Sequence, residues 1–160
     1  MLDPIIWGAL ACDGAPADAA IEVPGHEGRF RCRACAVPPA DGFHEGEGPA
    51  IAVALAEERS DLGAGLVEAL WFDKPVALWV PPADGGACLR VEARVWRCHI
   101  AGALFSDVLA RVWAADAAAD IASAWELQAL AAERVPGGMP AAVDPSRAPR
   151  AELHLDRLLR

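Results

Sequence analysis

Apolar residues recur every second position along several stretches of this chain, and every three to four positions along others. Ile51, Val53 and Leu55 alternate with alanines, the mark of a half-buried strand. Val76, Leu78 and Val80 repeat that pattern. Between the two runs, Leu62, Leu66 and Leu70 fall four apart, with Val67 and Trp71 beside them. That spacing makes one face of a short helix apolar, and predicts a helix over Ser60 to Trp71. Ser60 stands at the N-cap position, with Asp61 in the first turn. Pro49 to Val80 therefore reads as strand, helix, strand, and the rest of the chain is organised around it.

Upstream, Pro4 to Leu10 reads as a short helix that belongs to the fold. Ala11 to Gly28 is rich in Gly, Ala, Pro and Asp, with a strand expected at Ala20 to Val23. Arg29 to Val37 is a further strand. Phe30, Cys32 and Ala34 take one face; Arg29, Arg31, Arg33 and Cys35 take the other. Pro38 to Gly48 reads as a loop.

Downstream, Asp84, Gly85 and Gly86 mark a tight turn within Pro81 to Ala87. Leu89, Val91, Ala93 and Val95 then alternate with Arg90, Glu92, Arg94 and Trp96, which predicts a half-buried antiparallel strand paired with Val76 to Val80. Gly102 to Ala114 reads as an amphipathic helix, with Asp107 and Arg111 paired on its wet side. Ile121 to Leu130 fits either a helix or a last strand. Residues 1–135 are expected to form the domain, with 136–160 as a linker over Met139 to Arg150 and a C-terminal helix over Ala151 to Arg160. The expected fold is mainly β with short flanking helices. It is an antiparallel barrel whose core includes Ile51, Val53, Leu55, Val76, Leu78, Val91 and Val95. Trp79 and Trp96 point away from that core, so a second copy or a covering helix is expected over them.

Composition narrows the function classes. The chain has 160 residues, a formal net charge of -9 and 54% hydrophobic residues, with a pI of about 4.8. Such an acidic balance argues against nucleic-acid binding and against an anionic membrane surface. No apolar run approaches the ~20 residues of a membrane helix. The N-terminus lacks the basic region of a secretory signal. Five cysteines, an odd count without an export signal, suggest reduced thiols in a cytoplasm. Cys32 and Cys35 form a C-x-x-C pair, but strand alternation puts them on opposite faces, so no metal site is expected. There is no nucleophile elbow, G-x-G-x-x-G or phosphate-binding Walker loop. Glu57, Glu58 and Asp73 read as solvated carboxylates.

Two features read on the local pattern as a capped connecting helix with a surface arginine and as a solvated strand face, and their functional alternative is anion capture. Arg59 stands just outside the Ser60 helix start, where unpaired amides and the helix dipole favour a phosphate. Gly63 and Gly65 carry no side chain to block an approach. Arg29, Arg31 and Arg33 add a basic stripe on one strand face.

The order of these elements resembles the FMN-binding split barrel, the superfamily of pyridoxamine 5'-phosphate oxidase. The resemblance rests on RFRCRACAV, then Gly42–Phe43, AIAVAL, Arg59–Ser60, Lys74–Pro75–Val76 and LRVEARVWR. It implies an oxidoreductase with FMN in a groove between the two barrels of a homodimer. Its phosphate would be held by Arg31 or Arg33 and by Arg59 with Ser60. Ala93 stands where the family's strand usually has glycine. Two further departures stand out: Asp61 replaces the basic residue expected after the serine, and the family's N-terminal hairpin is not evident in the sequence. The alternatives are a barrel that binds or assembles without flavin, and a haem-handling barrel with His154 as its tail ligand.

Overall fold

The period-two stretches become strands of one closed antiparallel barrel. The protein is seen in a computed structural model that describes residues 4–10, 14–37, 50–82 and 85–145. Its strands are β1 (Ala17–Glu22), β2 (Phe30–Val37), β3 (Ala50–Leu55), β4 (Pro75–Val80), β5 (Cys88–His99) and β6 (Ser123–Val135). Around the barrel the order is β1-β2-β3-β6-β5-β4, with β4 returning to β1. Three helices accompany them: α1 (Pro4–Leu10), α2 (Asp61–Phe72) and α3 (Ala103–Ala115).

Register places the apolar rows face to face. Leu78 lies opposite both Ile21 and Val91, and Val53 lies opposite both Ala34 and Trp125. The seven core residues expected from alternation are all buried in one cluster. Helix α2 adds Leu62, Leu66 and Ala69 to that cluster, and α1 adds Ile6, Ala9 and Leu10.

A second apolar layer lies outside the barrel wall. There α3 lays Leu104, Val108 and Val112 on Cys35, Val37, Ala50, Ala52 and Ala124. The alanines that alternate along β3 are therefore not a wet face. Their small side chains let a helix approach the sheet closely, and β3 is buried on both sides.

The ambiguous stretch from Ile121 resolves as strand β6. It is held as a strand because it pairs with β3 along Ser123–Leu127 and with β5 between Ala124 and Val135, and those non-local bonds override its mixed pattern. Two register irregularities, between Glu92 and Ala93 and between Val95 and Arg97, bend this long pair. Strand β1 begins at Ala17, earlier than Ala20, because β2 supplies partners for Ala17 to Ala19, while β4 joins only from Ala20.

The chain after Gly138 is not a free linker in its described part. Val143 N–H donates to the Arg29 carbonyl at 2.9 Å, and Arg31 N–H donates to the Val143 carbonyl at 2.7 Å. Ala142 packs with Trp79, Ala20 and Cys88. Trp79 is thus covered within one chain and is 9% exposed. The Arg29 guanidinium lies 4.9 Å from its ring centroid and that of Arg90 lies 5.9 Å away. Its indole N–H donates to Glu22 at 3.1 Å. This tryptophan needs no second copy. The expected loop from Pro38, with Gly42 and Phe43, and the expected C-terminal helix with His154 lie outside the described residues.

Candidate functional site

The helix start expected to hold an anion is filled by the chain itself. Ser60 is 2% exposed and caps α2. Its hydroxyl accepts from the Gly63 N–H at 3.1 Å and donates to the Glu57 carbonyl at 2.8 Å. Both hydrogen bonds are local, so the hydroxyl is already occupied. A Cβ at Gly63 would lie 2.2 Å from the Glu58 carbonyl oxygen, and one at Gly65 would lie 2.2 Å from Val23 Cγ2. These glycines admit the protein's own backbone and core, not a ligand. Arg59 is exposed, and Asp61 sits in the first turn. The Ser60 hydroxyl and the space beside Gly63 and Gly65 are thus taken up within the chain. Ser60→Ala is expected to cost about 1 kcal/mol of stability through the lost cap, read by urea unfolding, and to leave anion affinity unchanged.

Arg31 and Arg33 meet elsewhere. Both point outward from β2 and edge a cleft of about 410 Å³, whose floor includes Leu55, Leu62, Val112 and Ile121. The cleft touches the first turn of α2 through Leu62, yet neither Arg59 nor Ser60 lines it. Arg33 lies opposite Asp18 across the β1–β2 pair, and its guanidinium is 3.6 Å from Asp116. Its charge is largely matched. Arg31 is exposed, and among the described residues no carboxylate lies within ion-pair distance of it. Asp18, Glu57, Asp120 and Asp144 also line the cleft. Four carboxylates against two guanidiniums oppose a fully ionised phosphate everywhere except directly on Arg31.

A broader groove of about 630 Å³ crosses the outer face of β1, β4 and β5. Its cations are matched: Arg29 to Glu22 at 2.8 Å, Arg90 to Glu133 at 3.5 Å, and Lys74 to Glu68.

The C-x-x-C pair divides as alternation predicts. Cys32 faces the barrel core and Cys35 lies under α3. Burial pushes the Cys32 thiol up to about 12, with Asp18 adding to the effect. Burial likewise raises Cys35 to about 11, against a lowering by Arg111 and with a further rise from Asp107. Neither is a ready thiolate. Among the described residues, no group of three His, Cys, Asp or Glu is placed to hold a metal ion.

The sequence reading missed one polar pair. Glu126 is fully buried, and one of its carboxylate oxygens lies 2.8 Å from His99 Nε2. Strand β6 puts Glu126 outward, opposite Ala52 of β3 and Arg97 of β5. The only signal was a lone carboxylate between Trp125 and Leu127 in an otherwise apolar run. Nearby, Ser123 is also buried and accepts from the Trp125 indole at 3.0 Å.

Comparison with protein-family models, with curated proteins and with solved structures gives no match to this chain.

Proposed function

We propose that this chain is a split-barrel protein that binds a small molecule in the Arg31–Arg33 cleft, and that the ligand is FMN, held at its phosphate by Arg31. The observation that carries the reading is the cleft itself. An apolar floor is edged by a guanidinium that no described carboxylate neutralises, and such a mixture suits a planar ring with an anionic tail. The order of elements supports it. So does the short β3–β6 seam, which covers only Ile51–Leu55 and Ser123–Leu127 while β6 continues on β5 alone.

Bound FMN would supply the redox chemistry of an oxidoreductase, and the chain would supply position and exclusion of water. Leu55, Leu62, Val112 and Ile121 would pack the ring, Arg31 would pair with the phosphate, and Arg33 would stay with Asp18 and Asp116.

An absorbance scan of purified protein and a titration with FMN test this. Arg31→Ala is expected to weaken FMN binding roughly tenfold to a hundredfold, the loss of one charge-assisted hydrogen bond. Arg59→Ala is expected to bind as wild type does. If Arg59→Ala loses affinity and Arg31→Ala does not, the phosphate lies at the helix start after all.

A second reading has its own support. The four carboxylates in the cleft and the occupied Ser60 hydroxyl favour a barrel that binds or assembles without flavin. Wild type that takes up no FMN at millimolar concentration would replace the first reading with this one. The haem-handling alternative rests on His154, outside the described residues.

A further inference from the structure

The chain after β6 runs back to the edge of β2 as a strap held at Met139, Ala142 and Val143. Gly137, at φ 98°, makes the turn out of β6. Met139 Sδ then lies 3.3 Å from Cys88 Sγ, and Cys88 is buried. Ala142 packs with Ala20, Trp79 and Cys88. Val143 exchanges backbone hydrogen bonds with Arg29 and Arg31 at 2.9 and 2.7 Å. Asp144 and Pro145 follow directly and line the Arg31 cleft. Met139, Ala141, Val143 and Asp144 are all exposed. A segment with so few buried apolar contacts opens locally, at far lower cost than the barrel itself.

Met139 is the reactive member of this anchorage. It is 38% exposed, whereas Cys32, Cys35 and Cys88 are buried. Burial holds the thiols of Cys32, Cys35, Cys88 and Cys98 above their ordinary range, so the thiolate that an oxidant attacks is scarce. A thioether needs no ionisation to react.

We propose that Met139 is an oxidation site, and that its conversion to the sulfoxide by a peroxide unlatches the strap from Cys88 and from the edge of β2. A lone pair on Sδ attacks one oxygen of hydrogen peroxide as the O–O bond breaks. An S–O bond forms, the departing hydroxide takes the proton of the transferred hydroxyl, and water leaves. The sulfur loses two electrons and the peroxide gains them. The side chain is then polar where it was apolar, and a 3.3 Å gap between two sulfurs has no room for the added oxygen. Met139 turns away from the wall of Cys88, Ala20 and Trp79 and carries the strap with it. Because Val143 is bonded to the Arg31 amide and the next two residues line the cleft, release alters the wall beside the Arg31 guanidinium. The latch itself does not rest on the flavin reading.

Amide hydrogen exchange of the full chain without FMN, before and after millimolar hydrogen peroxide, tests this, and peptide mass locates the added oxygen. The peptide that contains Met139 is expected to gain one oxygen. The Arg31 and Val143 amides are then expected to exchange about fivefold to thirtyfold faster, while the amides of β3 keep their rates. Met139→Leu keeps a similar volume without the thioether. It is expected to exchange as untreated wild type does, with or without peroxide. Unchanged Arg31 and Val143 rates once Met139 carries the oxygen overturn the proposal. So does a Met139→Leu strap that peroxide still loosens, because a cysteine would then be responsible. A Met139 that peroxide leaves unmodified in the folded chain overturns it as well.

Discussion

Gly63→Ala is expected to be the most damaging Gly→Ala change among the described glycines. The added methyl would lie 2.2 Å from the Glu58 carbonyl oxygen and 3.1 Å from its carbon. These are backbone atoms of the segment that leads into the Ser60 cap, so they cannot swing aside as a side chain can. Alanine gains up to ~1 kcal/mol over glycine as a helix former. Overpacking against a fixed backbone costs about 1–3 kcal/mol and occasionally more. The Gly63 N–H also donates to Ser60 Oγ, so a shift that relieves the clash weakens the cap, worth ~1 kcal/mol. The net loss is expected at about 2–3 kcal/mol, which lowers the melting temperature by roughly 4–12 °C for a chain of this size. Gly8→Ala is the control: it sits in α1 with nothing within 4 Å of the added methyl, and should melt at or slightly above wild type. If the two variants melt together, the Glu58 segment yields without cost.

His99→Ala is expected to lower stability by about 2–4 kcal/mol. Glu126 is wholly buried on the outer barrel wall, and the imidazole is a hydrogen-bonding partner at 2.8 Å. Removing one member of a buried pair leaves a carboxylate desolvated without that partner, which typically costs 3–5 kcal/mol. The lower figure here reflects the 13% exposure of the His99 side chain and further contacts of Glu126. Replacing both residues should hurt less than the sum of the single changes, because no buried charge then remains. Urea unfolding of His99→Ala, Glu126→Leu and the double variant measures this. Additive losses would show that the two side chains contribute independently. A His99→Ala loss under 0.5 kcal/mol would show that water or another group replaces the imidazole.

The candidate site was legible only in its chemistry. Alternation along β2 set Arg31 and Arg33 on one face and separated Cys32 from Cys35, and the structure keeps both arrangements. The acidic company of Arg33 was not legible. Asp18 comes from β1 and Asp116 from just past α3, and nothing in the local pattern of β2 points to either. The packing around the helix start was not legible for a similar reason. Ser60 and its glycines do mark an N-terminus with open amides, but the Glu58 carbonyl and Val23 fill the space that composition left apparently clear.

By itself the sequence determined the faces. Period-two runs in β3, β4 and β5 and the four-residue spacing in α2 dictate which side chains share a side, because backbone geometry alone sets side-chain direction. It also determined the cap, since Ser60 bonds within its own turn. Only the tertiary structure decided what covers each face. It laid α3 on the alanines of β3, Arg29 and Arg90 on Trp79, and His99 beside Glu126, and it left Trp71 exposed on α2. Those outcomes depend on residues far apart in the chain, and a repeat read along a strand or helix carries the direction of a side chain but not the identity of its neighbour.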